Sequence, residues 1–204
     1  MELQIKDVCK TYGPQKVLDH FSLTVPQGET VCLFGPSGCG KTTLLQCIAS
    51  LERLDSGTIA GMERQKISYM FQEDRLLPWI SAVENVSVVW EHSQKEAAME
   101  WLRLVGLEDA AEKRPAELSG GMRQRVALAR ALAYGGAPLL LDEPFRALDQ
   151  ATRRQMMELL CTHTKGKTKI LVTHDLEEAR LLADRIVYLE GPPLRIVQTE
   201  KIHA

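Results

Sequence analysis

An α/β fold built on a parallel sheet is what this sequence predicts, and three observations carry the expectation. Short apolar runs, ISYMF, PLLLDE, KILVTHD and RIVYLEG, recur between segments with helical signals, as the strands of a sheet covered on both faces require. Another run, TVCLF, leads straight into the glycine loop GPSGCGKT and then into KTTLLQCIASL, whose apolar residues fall at helical spacing. Ahead of these, LQIKDV and FSLTVPQGETVCLF alternate apolar and polar residues with period two (Phe21, Leu23, Val25), the pattern of half-buried antiparallel strands.

Between FQ and LSGG the pattern changes to a mostly helical one, placing an inserted helical subdomain at about residues 73–134. Within it, SQKEAAMEWLRLVG offers Ser93 and Glu96 as a capping box, Ala97, Trp101, Leu102 and Val105 as one apolar face, and Gly106 as the stop. No internal repeat, low-complexity tract or flexible linker appears, so residues 1–204 are expected to form a single domain.

Composition narrows the class. With 45% hydrophobic and 25% charged residues and a net charge of −2, the chain reads as an ordinary globular protein, neither disordered nor built to coat nucleic acid. Its five cysteines are scattered and form no CxxC pair, which argues against a disulfide framework or a zinc site and for a reducing cytoplasm. No charged-then-apolar stretch of the leader type stands at residues 1–30 and no apolar run approaches the ~18 residues of a membrane span, so any service to a membrane is expected from outside the bilayer.

The chemistry concentrates in a few places. GPSGCGKT, Gly35 to Thr42, fits G-x-x-x-x-G-K-[ST]: glycines let successive N–H groups turn inward around phosphate oxygens, and the following helix points its positive end at the same charge. Lys41 should reach the outer phosphates and the Thr42 hydroxyl should ligate Mg²⁺. Cys39 is a variable position in the loop, read as a small residue facing away from phosphate rather than as a redox switch. In PLLLDEP, Asp142 ends a strand where it can hold the metal through water, and Glu143 just beyond can orient or deprotonate the attacking water. An acidic pair ending a strand is often only a solvated loop, but the four apolar-side residues before it and the phosphate cradle upstream favour the functional reading. LSGGMRQ precedes the amphipathic helix MRQRVALARALAY with Ser119 at the N-cap, a second anion-facing helix end without catalytic groups of its own. That imbalance suggests that each chain completes a nucleotide site on another chain in a head-to-tail pair.

These motifs together resemble the nucleotide-binding subunit of an ATP-binding cassette (ABC) transporter over nearly the whole chain: Walker A GPSGCGKT, FQ at Phe71 and Gln72, the signature LSGGMRQ, Walker B LLLDE, the D-loop ALD at Ala147 to Asp149, and the switch THD around His174. The resemblance implies a P-loop NTPase core with a parallel sheet, an N-terminal antiparallel β-subdomain and the inserted helical subdomain. It implies ATP and Mg²⁺ as cofactors. The loop residues Gly35, Pro36, Ser37, Gly38, Cys39, Gly40, Lys41, Thr42 and Thr43 match the phosphate-binding segment, and Tyr12 matches the aromatic that stacks on adenine. Gln72 matches the glutamine that contacts Mg²⁺ and the attacking water, so Thr42, Gln72 and Asp142 are the expected metal residues. Ser119, Gly120 and Gly121 match the turn that holds a partner chain's γ-phosphate, Asp149 a contact across the dimer, and His174 the histidine that links γ-phosphate to Glu143. Glu143, His174, Lys41 and Gln72 are thus the catalytic expectation.

Gln72 to Trp79, QEDRLLPW, resembles the stretch found in importers of the nitrate, sulfonate and taurine group, which includes relatives taking up thiamine precursors. Leu76, Leu77 and Trp79 beside Pro78 read there as exposed apolar anchors for a permease's cytoplasmic helix, with a small buried cluster as the alternative. The expected partners are a second ATPase subunit, transmembrane permease subunits and, indirectly, a substrate-binding protein, with no nucleic acid. The expected place is the cytoplasmic face of the prokaryotic inner membrane. Arg146 departs from the small residue common in the family, DSGTIAGMERQKISYMF is short enough to trim a hairpin, and no regulatory domain is expected after RIVQTEKIHA. A soluble ABC-type ATPase acting on nucleic acid or ribosomes is the alternative, disfavoured because neither sustained heptads nor a second lysine loop appears. A clamp that binds ATP without splitting it is disfavoured by Glu143 and His174, and a GTPase by the lack of an N-K-x-D motif.

Overall fold

The computed structural model describes residues 2–61 and 65–202. The chain forms two compact units, one of Met1–Tyr69, Ala137–Glu143 and Gly166–Ala204, the other of Met70–Gly136 and Pro144–Lys165. The second unit is wider than the helical stretch outlined by the sequence, because it also takes in residues 144–165.

In the first unit, strands β1 (Leu3–Tyr12) and β2 (Gln15–Val25) pair antiparallel, with Leu3 opposite Val25, Ile5 opposite Leu23 and Val8 opposite Phe21. All six of these side chains are buried, so the period-two alternation sets which face of the hairpin meets the core. The register shifts on either side of Val8 and again after Lys10. Strand β4 (Ser56–Ala60) adds to the other edge of β1, giving the order β2-β1-β4. Part of the segment expected to be trimmed, residues 62–64, lies outside the described residues.

The main sheet has the order β5-β6-β7-β3-β8-β9. Its members are β3 (Thr30–Phe34), β5 (Ser68–Met70), β6 (Leu139–Asp142), β7 (Lys169–Thr173), β8 (Arg185–Glu190) and β9 (Arg195–Lys201). Strands β6, β7, β3 and β8 run parallel, and every residue of β6 is buried, as expected of a strand covered on both faces. Helix α1 (Lys41–Ile48) follows β3 and drives Leu44, Leu45, Cys47 and Ile48 into a core shared with Ile5, Phe21, Leu33 and Val187. Strand β9 is antiparallel to β8 and escaped the sequence reading, because its residues are almost all exposed and show no alternation of burial. The start of β8 is tied down by Arg185, whose guanidinium donates to both carboxylate oxygens of Glu29 at 2.9 and 2.7 Å.

In the second unit, helices α2 (Ala82–Ser87), α3 (Lys95–Leu104) and α4 (Gly120–Tyr134) pack on one another, and α5 (Gln150–His163) packs on α4. The capping box expected from Ser93 and Glu96 does not form: α3 starts after Gln94 without a side-chain cap. The Ser93 hydroxyl instead lies 3.3 Å from Ser87 Oγ, which also accepts from the Gln94 N–H at 3.1 Å, so the end of α2 claims the serine. The real box is one helix earlier, where Ser81 and Glu84 cap α2 reciprocally. On α3 the buried residues are Ala98 and Leu102, continued by Val105; Ala97 and Trp101 are half-buried, and Trp101 meets the His163 ring edge-on at 5.1 Å. Gly106, at φ 67°, ends the helix as expected.

Asn85 organises the loop before α2. Fully buried, it accepts from the Leu77 N–H at 2.7 Å and donates to the carbonyls of Leu77 and Ser81 at 3.1 and 3.0 Å. Asn85→Ala strands these backbone groups, and the expected loss is about 2 kcal/mol of unfolding free energy. Urea denaturation of the variant against wild type reads it directly.

Candidate functional site

The loop between β3 and α1 is shaped by backbone running against backbone. A Cβ at Gly35 would overlap the Leu189 carbonyl oxygen of β8, and one at Gly40 would come within 3.0 Å of Val17 Cγ1. Gly38 and Gly40 also take φ of 80° and 116°, which side-chain-bearing residues rarely adopt. Behind the loop stands the turn joining β8 to β9, where a Cβ at Gly191 would lie 2.9 Å from the Cys39 carbonyl oxygen. Pro36, Ser37 and Gly38 are exposed, whereas Cys39 points into the core and is fully buried. Burial thus supports the reading of Cys39 as a packing residue. Burial also pushes the Cys32 thiol up to about 12 and the Cys47 thiol up to about 11, leaving both protonated and inert.

Lys41 opens α1 and is buried. Its ammonium donates to the carbonyls of Gly35 at 2.8 Å and Pro36 at 2.7 Å, across the mouth of its own loop, and lies 3.6 Å from Cys39 Sγ. Gly40 gives the helix no side-chain cap, so the first N–H groups of α1 face the loop's interior without a built-in acceptor. Thr42 and Thr43 are half-buried on the first turn.

Strand β6 delivers Asp142, buried, with both carboxylate oxygens lacking a hydrogen-bond partner. Burial pushes its carboxyl above the usual range. The Thr42 hydroxyl, close by but outside hydrogen-bonding geometry, opposes the rise, Glu143 adds to it, and Lys41 opposes it. An orphaned buried carboxylate beside a threonine hydroxyl fits a hydrated divalent cation, which would satisfy both groups.

Glu143 follows at φ 48°, its N–H donating to the Val172 carbonyl at 2.9 Å. His174, after β7, places Nδ1 3.4 Å from Glu143 Oε1 while its side chain stays 62% exposed. The residues beside it hold it there. Thr173 Oγ1 donates to the buried Glu178 at 2.6 Å, and Asp175 caps α6 (Leu176–Leu182) by accepting from the N–H groups of Glu177 and Glu178. Neither Glu178 nor Asp175 was singled out from the sequence. The one local signal was an aspartate ahead of a helix. Tyr12 ends β1 with its ring exposed and the Lys10 ammonium 4.9 Å from its centroid.

The first unit therefore carries the phosphate loop, Tyr12, Asp142, Glu143 and His174; the second carries Gln72, the LSGG turn and Asp149. Gln72 is exposed, beside Phe71, whose ring sits under the Arg75 guanidinium at 4.0 Å. Arg123 and Arg130 of α4 fasten the following residues. Arg123 pairs with Asp74 at 2.9 Å, and Arg130 donates to the carbonyls of Asp74 and Arg75.

Ser119 caps α4 as expected, accepting from the Met122 N–H at 3.2 Å. Gly120 is exposed, and a Cβ at Gly121 would lie 3.0 Å from the Ala147 carbonyl oxygen. Gln124, buried on α4, accepts from the Ala147 N–H at 2.8 Å, so the signature helix and the ALD segment are bolted together. Sequence reasoning missed Gln124; its signal is a glutamine one turn into a helix on a face that is otherwise apolar. Asp149 caps α5 through the Thr152 N–H, which holds its carboxyl below the usual range. Arg146 is exposed and, with Gln72, Glu73, Asp74 and Gly120, lines a cavity of about 380 Å³. Of the expected anchors, Trp79 is 66% exposed and Leu77 half-buried, but Leu76 is only 8% exposed: it packs inward and is not an anchor.

The sequence model of the family described as "ABC transporter" matches residues 18–146. The chain belongs to the ABC transporter family. Among its relatives, the aliphatic sulfonates import ATP-binding protein SsuB of Cupriavidus pinatubonensis is 47% identical over 196 residues, covering 92% of this chain and 66% of that protein. The SsuB of Zymomonas mobilis is 46% identical over 198 residues, covering 93% of this chain and 82% of that one. The chain thus spans just under two thirds of the first relative's length and about four fifths of the second's. The dimeric post-hydrolysis structure of the ATP-binding cassette MJ0796, bound to ADP and Pi, superimposes with a TM-score of 0.90 at 33% identity, over 99% of both chains.

Two consequences follow for this ABC chain. Gly35→Ala drives a Cβ into rigid backbone and should cost about 2–3 kcal/mol, whereas Gly38→Ala, with open space but a left-handed backbone, should cost about 1 kcal/mol; thermal denaturation of the pair reads the difference. Asp142→Asn should raise the melting temperature of the nucleotide-free protein at neutral pH. A carboxyl shifted upward by burial favours the folded state only while protonated, so the gain should be largest above its raised pKa and shrink as pH falls toward the ordinary aspartate range. Melting curves between pH 4 and about 8 test the sign.

Proposed function

We propose that this chain is the ATP-binding and ATP-hydrolysing subunit of a membrane importer for a small anion, an aliphatic sulfonate. The observation that carries the ATPase reading is the buried, partnerless Asp142 carboxylate beside Thr42, at the mouth of a loop whose lysine is already drawn inward. The sulfonate reading is supported by the relatives named for sulfonate import and by the Gln72–Trp79 resemblance. The dimeric MJ0796 cassette supports a working pair of subunits.

In this reading the phosphates of ATP lie against the N–H groups of residues 38–43, with Lys41 exchanging its loop carbonyls for the outer phosphates and the Tyr12 ring stacking on adenine. Thr42, Asp142 through water, and Gln72 by its motif would hold Mg²⁺, which supplies neutralisation of phosphate charge. Glu143 orients water in line with the γ-phosphate and accepts its proton, and His174, paired with Glu143, donates to the phosphoryl oxygens. Ser119, Gly120 and Gly121 of one copy, with the α4 N-terminus behind them, receive the γ-phosphate held by the other copy, and Asp149 contacts that copy. Closure of the pair moves a permease at the cytoplasmic face of the membrane, supplied by a substrate-binding protein. The exposed Trp79, next but one to Leu77 in sequence, supports a docking surface for the permease. No helix among the described residues is long and apolar enough to cross a membrane itself.

Glu143→Gln decides the mechanism. The variant should bind ATP as wild type does, release phosphate at least ~10²-fold more slowly, and accumulate as an ATP-bound dimer on gel filtration. Phosphate release at the wild-type rate would remove Glu143 from the role.

A further inference from the structure

Among the described residues, one cluster of side chains able to ligate a metal lies on the β1–β2 hairpin, among residues with no part in the proposed ATPase mechanism. Cys9, Asp19 and His20 each bring one donor atom, a thiol sulfur, a carboxylate oxygen and a ring nitrogen, within 4.8 Å of the other two. The irregular register of the hairpin makes this possible. Between the pairs Val8–Phe21 and Lys10–Leu18 the ladder shifts, which sets Cys9 across from Asp19 and His20.

Two contacts orient the donors. The His20 backbone N–H, on a residue with φ of 53°, donates to Cys9 Sγ at 3.3 Å and fixes the sulfur toward the histidine. The His20 ring places Nδ1 2.8 Å from Asp7 Oδ1. Both partners of that pair are well exposed, so it contributes little to stability as an ion pair. A carboxylate behind an imidazole is, however, the arrangement that fixes the ring and raises its basicity toward a metal. Among the described residues Asp19 pairs with Lys16, at 3.2 Å; the lysine is mostly exposed, a cation that an entering metal displaces at small cost.

We propose that Cys9, Asp19 and His20 bind a borderline-soft transition-metal dication of the Zn²⁺ or Co²⁺ type, with water completing the coordination. A sulfur–nitrogen–oxygen donor set suits such ions and not Mg²⁺ or Ca²⁺, which take oxygen ligands. Bonds of about 2.0–2.3 Å in a tetrahedral zinc site place ligand atoms closer together than 4.8 Å. Rotation of these partly exposed side chains closes the gap. The site is separate from the Thr42–Asp142 metal position in donor chemistry and in sequence.

The test uses the full chain without nucleotide, titrated with Co²⁺ and with Zn²⁺. Wild type should take up one Co²⁺ with a thiolate-to-metal charge-transfer band and bind one Zn²⁺ by calorimetry. Cys9→Ser should abolish the band, and Cys9→Ser, His20→Gln and Asp19→Asn should each weaken Zn²⁺ at least tenfold. Asp7→Asn, which removes only the group behind the imidazole, should weaken it by about tenfold. The His20 and Asp19 variants read the site even if the thiol variant folds poorly. Absence of the charge-transfer band in wild type, or Zn²⁺ affinity unchanged by His20→Gln and Asp19→Asn, overturns the proposal.

Discussion

Backbone contact between the phosphate loop and β8 is the constraint from which the rest of the first unit follows. Gly35 touches the Leu189 carbonyl, Gly40 is pressed against Val17, and Gly191 closes on Cys39 from the β8–β9 turn. The loop is thereby stiffened from outside, with Cys39 as a plug in the core beneath it. A stiff loop keeps the N–H groups of α1 aimed at one place, and so does not spend binding energy on ordering itself.

Electrostatics are arranged around that stiffness. Lys41 donates to two carbonyls of its own loop, while both carboxylate oxygens of buried Asp142 lack a hydrogen-bond partner. The first group is hydrogen-bonded and the second is not, so the strand end holds a buried carboxyl whose ionised form burial disfavours. Such local cost is common where a site is built for a ligand, because the ligand's own charge removes it. Glu143 and His174 extend the pattern: one sits on left-handed backbone, and the other is held in water by the Thr173–Glu178 pair and the Asp175 cap.

The second unit is fastened differently, by side chains reaching into backbone. Asn85 holds the 77–81 loop, Arg123 and Arg130 hold Asp74 and Arg75, and Gln124 holds Ala147. Each clamps a segment carrying a motif residue: Trp79, Gln72 and Asp149 respectively. Long polar side chains satisfy loop backbone that would otherwise be buried without partners, and they fix where the motif residues stand.

The sequence by itself determined the strand–loop–helix order around GPSGCGKT, the antiparallel hairpin ahead of it, the strand end at Asp142 and the caps at Ser119 and Gly106. Each of these obeys a rule that acts over a few neighbouring residues: a period of two, a glycine where φ must be positive, a hydroxyl one residue before a helix. Tertiary structure alone decided that Ser93 turns to Ser87 instead of capping α3, that Leu76 packs inward while Trp79 stays out, that Gln124 meets Ala147, and that the exposed residues of β9 join a sheet. It also brought Cys9 to His20 across a slipped register. In every such case the deciding partner lies in another element or across a strand ladder, and local spacing carries no information about a contact whose geometry is set by packing.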